Sequence, residues 1–407
     1  MASRTDFHYP TLAQLILSAC GGLLGLFAAA LLLMVGGVYL LSGEEASLAT
    51  SQLNLACGAA VVGVLCLPSV VYTALRLMNR PLPDWRLPAN IGLFFIGLPV
   101  LWAMALALAA VVIGKQIEPF VVPIAFPVIV GAPIVWLLVI AGRGLLYGGP
   151  QRRWGTVSFS LTGTMITVLT AELVLGVGLL FIFAIWLTAN PDQMAWFEKL
   201  ANLTKSVETP EALQPFLTEL FQRPGIIPGM LLLLAVVVPF MEELIKPMAL
   251  YFLLGRRLTP AQGFIGGLLC GACFALAESI GSMSMVTDPN SWVMLAIGRS
   301  GTALLHMTCT GLVGWGLASA FTHRRWGAFA RGLLGAVALH GAWNAAAITQ
   351  TISALQEGPI WKVLATASPI LLGVIAMINL FILVKMNRQL QIRPDAPAVA
   401  IIDSTNA

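Results

Sequence analysis

Stretches of 19 or more mostly apolar residues recur ten times along the chain, over 12–41, 53–75, 91–114, 119–142, 158–188, 228–254, 261–285, 291–321, 332–350 and 365–385. A helix of that length crosses a hydrocarbon core about 30 Å thick. The chain is therefore expected to be an all-α polytopic membrane protein with about ten transmembrane helices. Composition agrees: of 407 residues 58% are hydrophobic and 10% charged, with a mean hydropathy of +0.89, which excludes a globular enzyme with a large soluble core. The net charge of +4 is modest and its basic residues lie in short loops, so no nucleic-acid partner is expected. The first run is too long for the apolar part of a signal peptide and reads as a retained span. All six cysteines fall inside the runs, which argues against an extracellular disulfide framework. Cys270 and Cys273 have the spacing of a redox pair but read as packing thiols on a small-residue helix.

An even number of spans puts both termini on one side. Fifteen of the 22 Lys and Arg then lie on the N-terminal side, five on the other, and Lys246 and Arg299 inside the membrane. This bias places both termini in the cytoplasm. The chain divides into a five-helix region over 1–189, an extracytoplasmic amphipathic loop over 190–227, a catalytic membrane core over 228–350, a last helix with its preceding loop over 351–386 and a disordered cytoplasmic tail over 387–407. In the loop, Trp196, Phe197, Leu200, Phe216, Leu220 and Phe221 are spaced for one or two short amphipathic helices. Gly21 with Gly25 and Gly267 with Gly271 are spaced to let helices approach closely.

Charges inside the spans are costly and mark candidate sites. The sixth span carries Glu242, Glu243 and Lys246 between Pro239 and Pro247. Spacings of three and four put Lys246 within reach of either carboxylate, so one glutamate can be held ionised while the other is free for chemistry. Neighbouring residues on a helix face different ways, which predicts different roles for the two. The prolines favour a broken helix beside a water-lined cavity. The seventh span carries Glu278, the eighth Arg299 and His306 on nearly the same face, and the ninth His340 and Asn344 one turn apart. Measured from the cytoplasmic ends, Glu243, His306 and His340 can meet near the midplane, with Glu278 closer to the outer side. Glu172 in the fifth span has no expected partner.

A carboxylate and an imidazole around one water suit general-base hydrolysis, with an amide or protonated histidine stabilising the oxyanion. Two histidines and a carboxylate with an open position also suit catalytic zinc, although no H-E-x-x-H motif is present, and the residues leave the cofactor open. The rival reading is a proton-coupled transporter using the buried Glu, His and Lys as a relay; a third is a non-catalytic membrane scaffold.

Glu242-Glu243-x-x-Lys246, Phe274-x-x-x-Glu278, Arg299 leading to His306, and His340-x-x-x-Asn344, in this order on successive helices, resemble the PrsW family of intramembrane proteases, which is related to the CAAX prenyl-protease and bacteriocin-processing superfamily. The resemblance covers about residues 228–350. It implies hydrolysis of peptide bonds in membrane-anchored protein substrates, as in cleavage of an anti-sigma factor, by a multi-pass protein of a prokaryotic cell membrane. Carried over from the CAAX branch, Glu242 would be the base and His340 and Asn344 the oxyanion stabilisers. That branch has a histidine where Glu278 stands, so His306 is the candidate to share the water with Glu242. Glu243 completes the catalytic set, and Lys246 and Arg299 would hold the carboxylates charged. If the site holds zinc, its ligands would come from His306, His340, Glu278 and Glu243.

Overall fold

A computed structural model describes residues 8–43, 46–83, 91–145, 148–204, 214–254, 258–286 and 289–391. Its elements are α1 (Tyr9–Ser42), α2 (Ala46–Leu77), α3 (Ile91–Val112), α4 (Glu118–Gly142), α5 (Pro150–Phe159), α6 (Met165–Thr188), α7 (Pro191–Thr204), α8 (Gln214–Gln222), α9 (Ile226–Leu232), α10 (Val238–Ile245), α11 (Met248–Tyr251), α12 (Pro260–Ser284), α13 (Pro289–His323), α14 (Trp326–Leu355) and α15 (Pro359–Leu390). A π-helical turn, Ser160–Thr164, joins α5 to α6, and another, Leu233–Val237, joins α9 to α10.

Among the described residues nine helical runs are long and apolar enough to cross a membrane, Pro150–Thr188 and Ile226–Tyr251 each counting as one. The fold is thus that of an all-α polytopic membrane protein. The tenth expected span lies within α14. At 30 residues it is as long as its neighbours and packs between α13 and α15. It falls short in apolarity because it carries His340 and Asn344, and His340 is turned onto protein, at 2% exposure.

The α12–α13 hairpin is the centre of the bundle. Their most apolar windows are 83% buried, against 11% for α1 and 6% for Pro150–Thr188, so the outer helices spend most of their surface on lipid. In lipid, apolar side chains gain little by leaving the solvent, and helices associate through close van der Waals contact that small residues permit. Gly263, Gly267 and Gly271 form such a stripe on α12. A Cβ on them would lie 2.4, 2.2 and 2.4 Å from the backbone carbonyl oxygens of Gly314, Thr310 and His306 on α13. The two backbones therefore touch along three turns, which fixes the height of His306. Gly25 does the same on α1, where a Cβ would meet the Gly63 backbone of α2 at 2.9 Å.

Thr259 opens α12 with a reciprocal cap: its Oγ1 accepts from Gln262 N at 3.2 Å, and Gln262 Oε1 accepts from Thr259 N at 3.1 Å. Two short amphipathic helices, α7 and α8, fill the expected loop. Arg223 stacks over Trp196 at 3.8 Å and donates to Glu219 and Gln193. Thr218 Oγ1 donates to Leu355 O at 3.1 Å, tying α8 to the turn between α14 and α15. At the opposite end α15 continues to Leu390, past the residue where a disordered tail is expected to begin. The reason is Asn387, whose amide donates to Ala141 O at 2.7 Å and Arg143 O at 2.8 Å and so completes the carbonyl end of α4. The rest of the expected tail, 392–407, lies outside the described residues.

The glycine stripe has a direct test. Gly267→Val should destabilise the protein by about 1–3 kcal/mol, as overpacking of a close contact does, whereas Gly281→Ala, where a Cβ meets nothing within 4 Å, should leave it unchanged. Thermal unfolding of the purified protein in detergent measures both.

Candidate active site

The charged side chains converge on α10, and a break in the preceding helix puts them there. In the π-helical turn the donor for Leu234 O would come from residue 239, and Pro239 has no N–H. Asn344 Nδ2 on α14 supplies the missing bond at 2.9 Å. Beside it Gly341 lets α14 approach so closely that a Cβ would lie 2.1 Å from Ala235 O. Asn344 thus docks the ninth span onto the broken sixth one, and its amide N–H is committed to the backbone. At the other end Pro247 closes α10 behind Lys246.

Lys246 is fully buried and joins three partners. Its Nζ lies 2.8 Å from Glu242 Oε2, 2.8 Å from Glu243 Oε1 and 2.9 Å from His306 Nδ1, with the Phe274 ring 4.2 Å away. It therefore bridges both carboxylates rather than choosing one. Glu243, fully buried, is saturated: besides Lys246 its Oε1 faces His340 Nδ1 at 3.0 Å, and its Oε2 accepts from Thr310 Oγ1 at 3.1 Å. Glu242 is different. Its Oε2 contact with Lys246 lacks the angle of a hydrogen bond, so this buried oxygen has no hydrogen-bond partner, although His340 Nε2 is 3.9 Å away.

Glu278 on α12 meets Arg299 on α13 in a two-point pair of 2.9 and 2.7 Å, and Arg299 Nε donates to Ser279 Oγ at 3.1 Å. Its Oε2 also lies 2.8 Å from His306 Nε2, so it belongs to the cluster and not to a level nearer the outer side. Since Lys246 can only donate to His306 Nδ1, the proton of that ring sits on Nε2 and is given to Glu278. Likewise a neutral His340 gives its Nδ1 proton to Glu243 and turns the lone pair of Nε2 toward Glu242. The two imidazoles meet edge to face, with centroids 5.0 Å apart.

Among the described residues, Glu242, His306 and His340 bring ligating atoms within 4.8 Å of one another and would be the ones to hold a metal. Of the four zinc ligands suggested by the sequence, His306 and His340 belong to this group. Glu243 and Glu278 stand behind them, each holding one ring, because side chains adjacent on α10 point to different sides and Arg299 claims Glu278.

Glu172 stood out as a carboxylate inside a span, but its partner was not legible, since nothing in spacing relates α6 to α10. Its half-buried carboxyl lies against Glu242 within hydrogen-bonding range and close enough to Glu278 and Lys246 to feel their charge. Four carboxylates therefore face two cationic side chains. The donor set of one carboxylate and two imidazoles suits zinc, and to hold the ion Lys246 would have to yield Glu242 Oε2 and His306 Nδ1, both of which its ammonium now contacts.

A cluster of carboxylates and imidazoles enclosed by membrane helices defines a polytopic membrane protein equipped for proton transfer or hydrolysis. Comparison with known families resolves the choice: residues 164–384, more than half of the chain, match the PrsW family intramembrane metalloproteases. The chain belongs to that family and is an intramembrane endopeptidase of the metalloprotease class. No curated protein and no solved structure matches it.

Removing Lys246 should strand two buried carboxylates. Lys246→Met is expected to cost about 3–5 kcal/mol, the usual penalty for breaking a buried ion pair from one side. Adding Glu243→Gln should recover part of the loss, and thermal unfolding of the two variants checks it.

Proposed function

We propose that Glu242 is the base that activates water for peptide-bond hydrolysis, within a metal-binding group formed with His306 and His340. The observation that supports this reading is the convergence of Glu242, His306 and His340 from three helices, their ligating atoms within 4.8 Å of one another, with Glu242 Oε2 buried and in contact only with the Lys246 ammonium at 2.8 Å. Glu242 accepts the proton of the attacking water and returns it to the departing amine. Glu172, in contact with Glu242, shares that proton. Glu243 holds His340 in one tautomer and one orientation, and Glu278, itself clamped by Arg299, does the same for His306. Lys246 keeps Glu242 and Glu243 from repelling each other. Asn344 acts by holding the broken helix in place, and its expected share in the oxyanion site requires release from Leu234.

Zinc is the metal that two imidazoles and a carboxylate suit, and when bound it supplies an acidified water and a polarised carbonyl. Glu242, His306 and His340 would hold the ion, and Glu242 would still take the proton of the attacking water. Substrates are membrane-anchored proteins that reach the cluster from the lipid, an anti-sigma factor being one such class. The order of the motifs also supports kinship with the CAAX prenyl-protease and bacteriocin-processing superfamily. The excess of basic residues at the ends of α2, α4, α13 and α15 supports cytoplasmic termini, with α7 and α8 on the outer face of a prokaryotic membrane.

A cleavage assay in lipid against single-span membrane proteins tests the assignment. Glu242→Ala and His340→Ala should abolish cleavage while the protein still folds, and Glu172→Gln should lower kcat about 10–100-fold, the scale seen when a side chain that supports a ligating residue is lost. Full activity of the Glu242 or His340 variant would refute the proposal.

A further inference from the structure

A second polar site lies in the bundle away from the Glu–His cluster. Where the first turns of α2, α4 and α13 meet the end of α12, a cavity of about 10 Å³ is lined by Ser47, Thr50, Ser51, Asn54, Glu118 and Trp292. It has room for one occupant the size of a water.

The chemistry of the lining is one-sided. Glu118 is 4% exposed, and its Oε2 accepts from Gly114 N at 2.6 Å. Among the described residues no cationic side chain pairs with it, and a carboxylate buried without a counter-ion is costly. Asn54 is 2% exposed, and its Oδ1 has no hydrogen-bond partner. Thr50 spends its hydroxyl proton on Ala46 O at 2.9 Å, and Ser51 spends its own on Ser284 O. Each of these four groups carries an oxygen lone pair that can turn to the cavity, beside the N–H donors of the Asn54 amide and the Trp292 indole. A water has two protons to give, enough for the oxygens of Glu118 and Asn54, but it brings no charge and leaves the carboxylate without a counter-ion. A hard cation answers the oxygens and the charge together. The N-terminus of α4 favours the Glu118 carboxylate, but the partial charge of a helix end is smaller than a full unit and the carbonyl ends of α3 and α12 oppose it.

We propose that this cavity binds a small monovalent cation, Na⁺, with Glu118, Asn54, Thr50 and Ser51 as its oxygen ligands. One carboxylate matches one positive charge, and the volume matches one unhydrated ion. The ion would pin α2 and α4 of the N-terminal half to the hairpin that carries Glu278, Arg299 and His306, and this reading is independent of the proposed catalytic roles.

Thermal unfolding of the purified full-length protein in chloride salts of sodium, potassium, choline, magnesium and calcium at equal ionic strength tests it. Sodium should stabilise saturably over choline, multiplying the folded-to-unfolded ratio by about 11 when present at ten times its dissociation constant. Glu118→Gln and Asn54→Leu, both near in volume to the native residues, should lose this sodium dependence. Identical unfolding in sodium and choline would mean that the cavity holds only a water and would overturn the proposal. So would stabilisation by calcium or magnesium in place of sodium, or a sodium effect unchanged in both variants. Should the variants fail to fold, the sodium NMR linewidth over the native protein decides: broadening that lithium reverses supports the site, and no broadening refutes it.

Discussion

The buried ammonium of Lys246 is the contact on which the catalytic half depends. Three polar partners from two helices close on it at 2.8–2.9 Å, and each would be expensive in hydrocarbon without it. One cation thereby allows two adjacent carboxylates to stay in the membrane and still differ. Glu243 is used up in holding His340 and Thr310, while Glu242 has an oxygen whose contact is the Lys246 ammonium alone. The division of labour follows from helix geometry, since neighbouring side chains cannot share a partner on the same terms.

Backbone features bring the partners together. The glycine stripe sets α13 against α12 at touching distance, and with it the height of His306. Pro239 breaks the helix ahead of Glu242, and Asn344 repairs the break from α14, so the residue beside His340 in the motif is also what aligns His340 with α10. Arg299 then ties Glu278 to the same hairpin. A polar cluster of this kind is rigid because nearly every member has its hydrogen bonds filled, and the one oxygen left over becomes conspicuous.

Much of this was legible in the sequence. Ten apolar runs correspond to ten helical segments, although α14 is too polar to pass as a span by apolarity alone, because its polar residues face protein. The residues of the cluster were legible too, since a charge or histidine inside such a run rarely lacks a purpose. Pairing across helices was not. Spacing fixes which residues share a face of one helix, but not how two helices are rotated relative to each other. That is why Glu278 was expected at another level and why Glu172 had no partner. Asn344 shows the same limit: its place in a motif identified it, and only the broken backbone opposite showed what it binds.

Metal content decides between a metal centre and a water activated by carboxylate alone. Measured by mass spectrometry on purified protein, one divalent ion per chain in the native form, lost in His340→Gln and Glu242→Gln variants that remain folded, is the predicted result. An equivalent of metal retained in both variants, or native protein that cleaves its substrate without any, would contradict the assignment of Glu242, His306 and His340 as the metal-binding group.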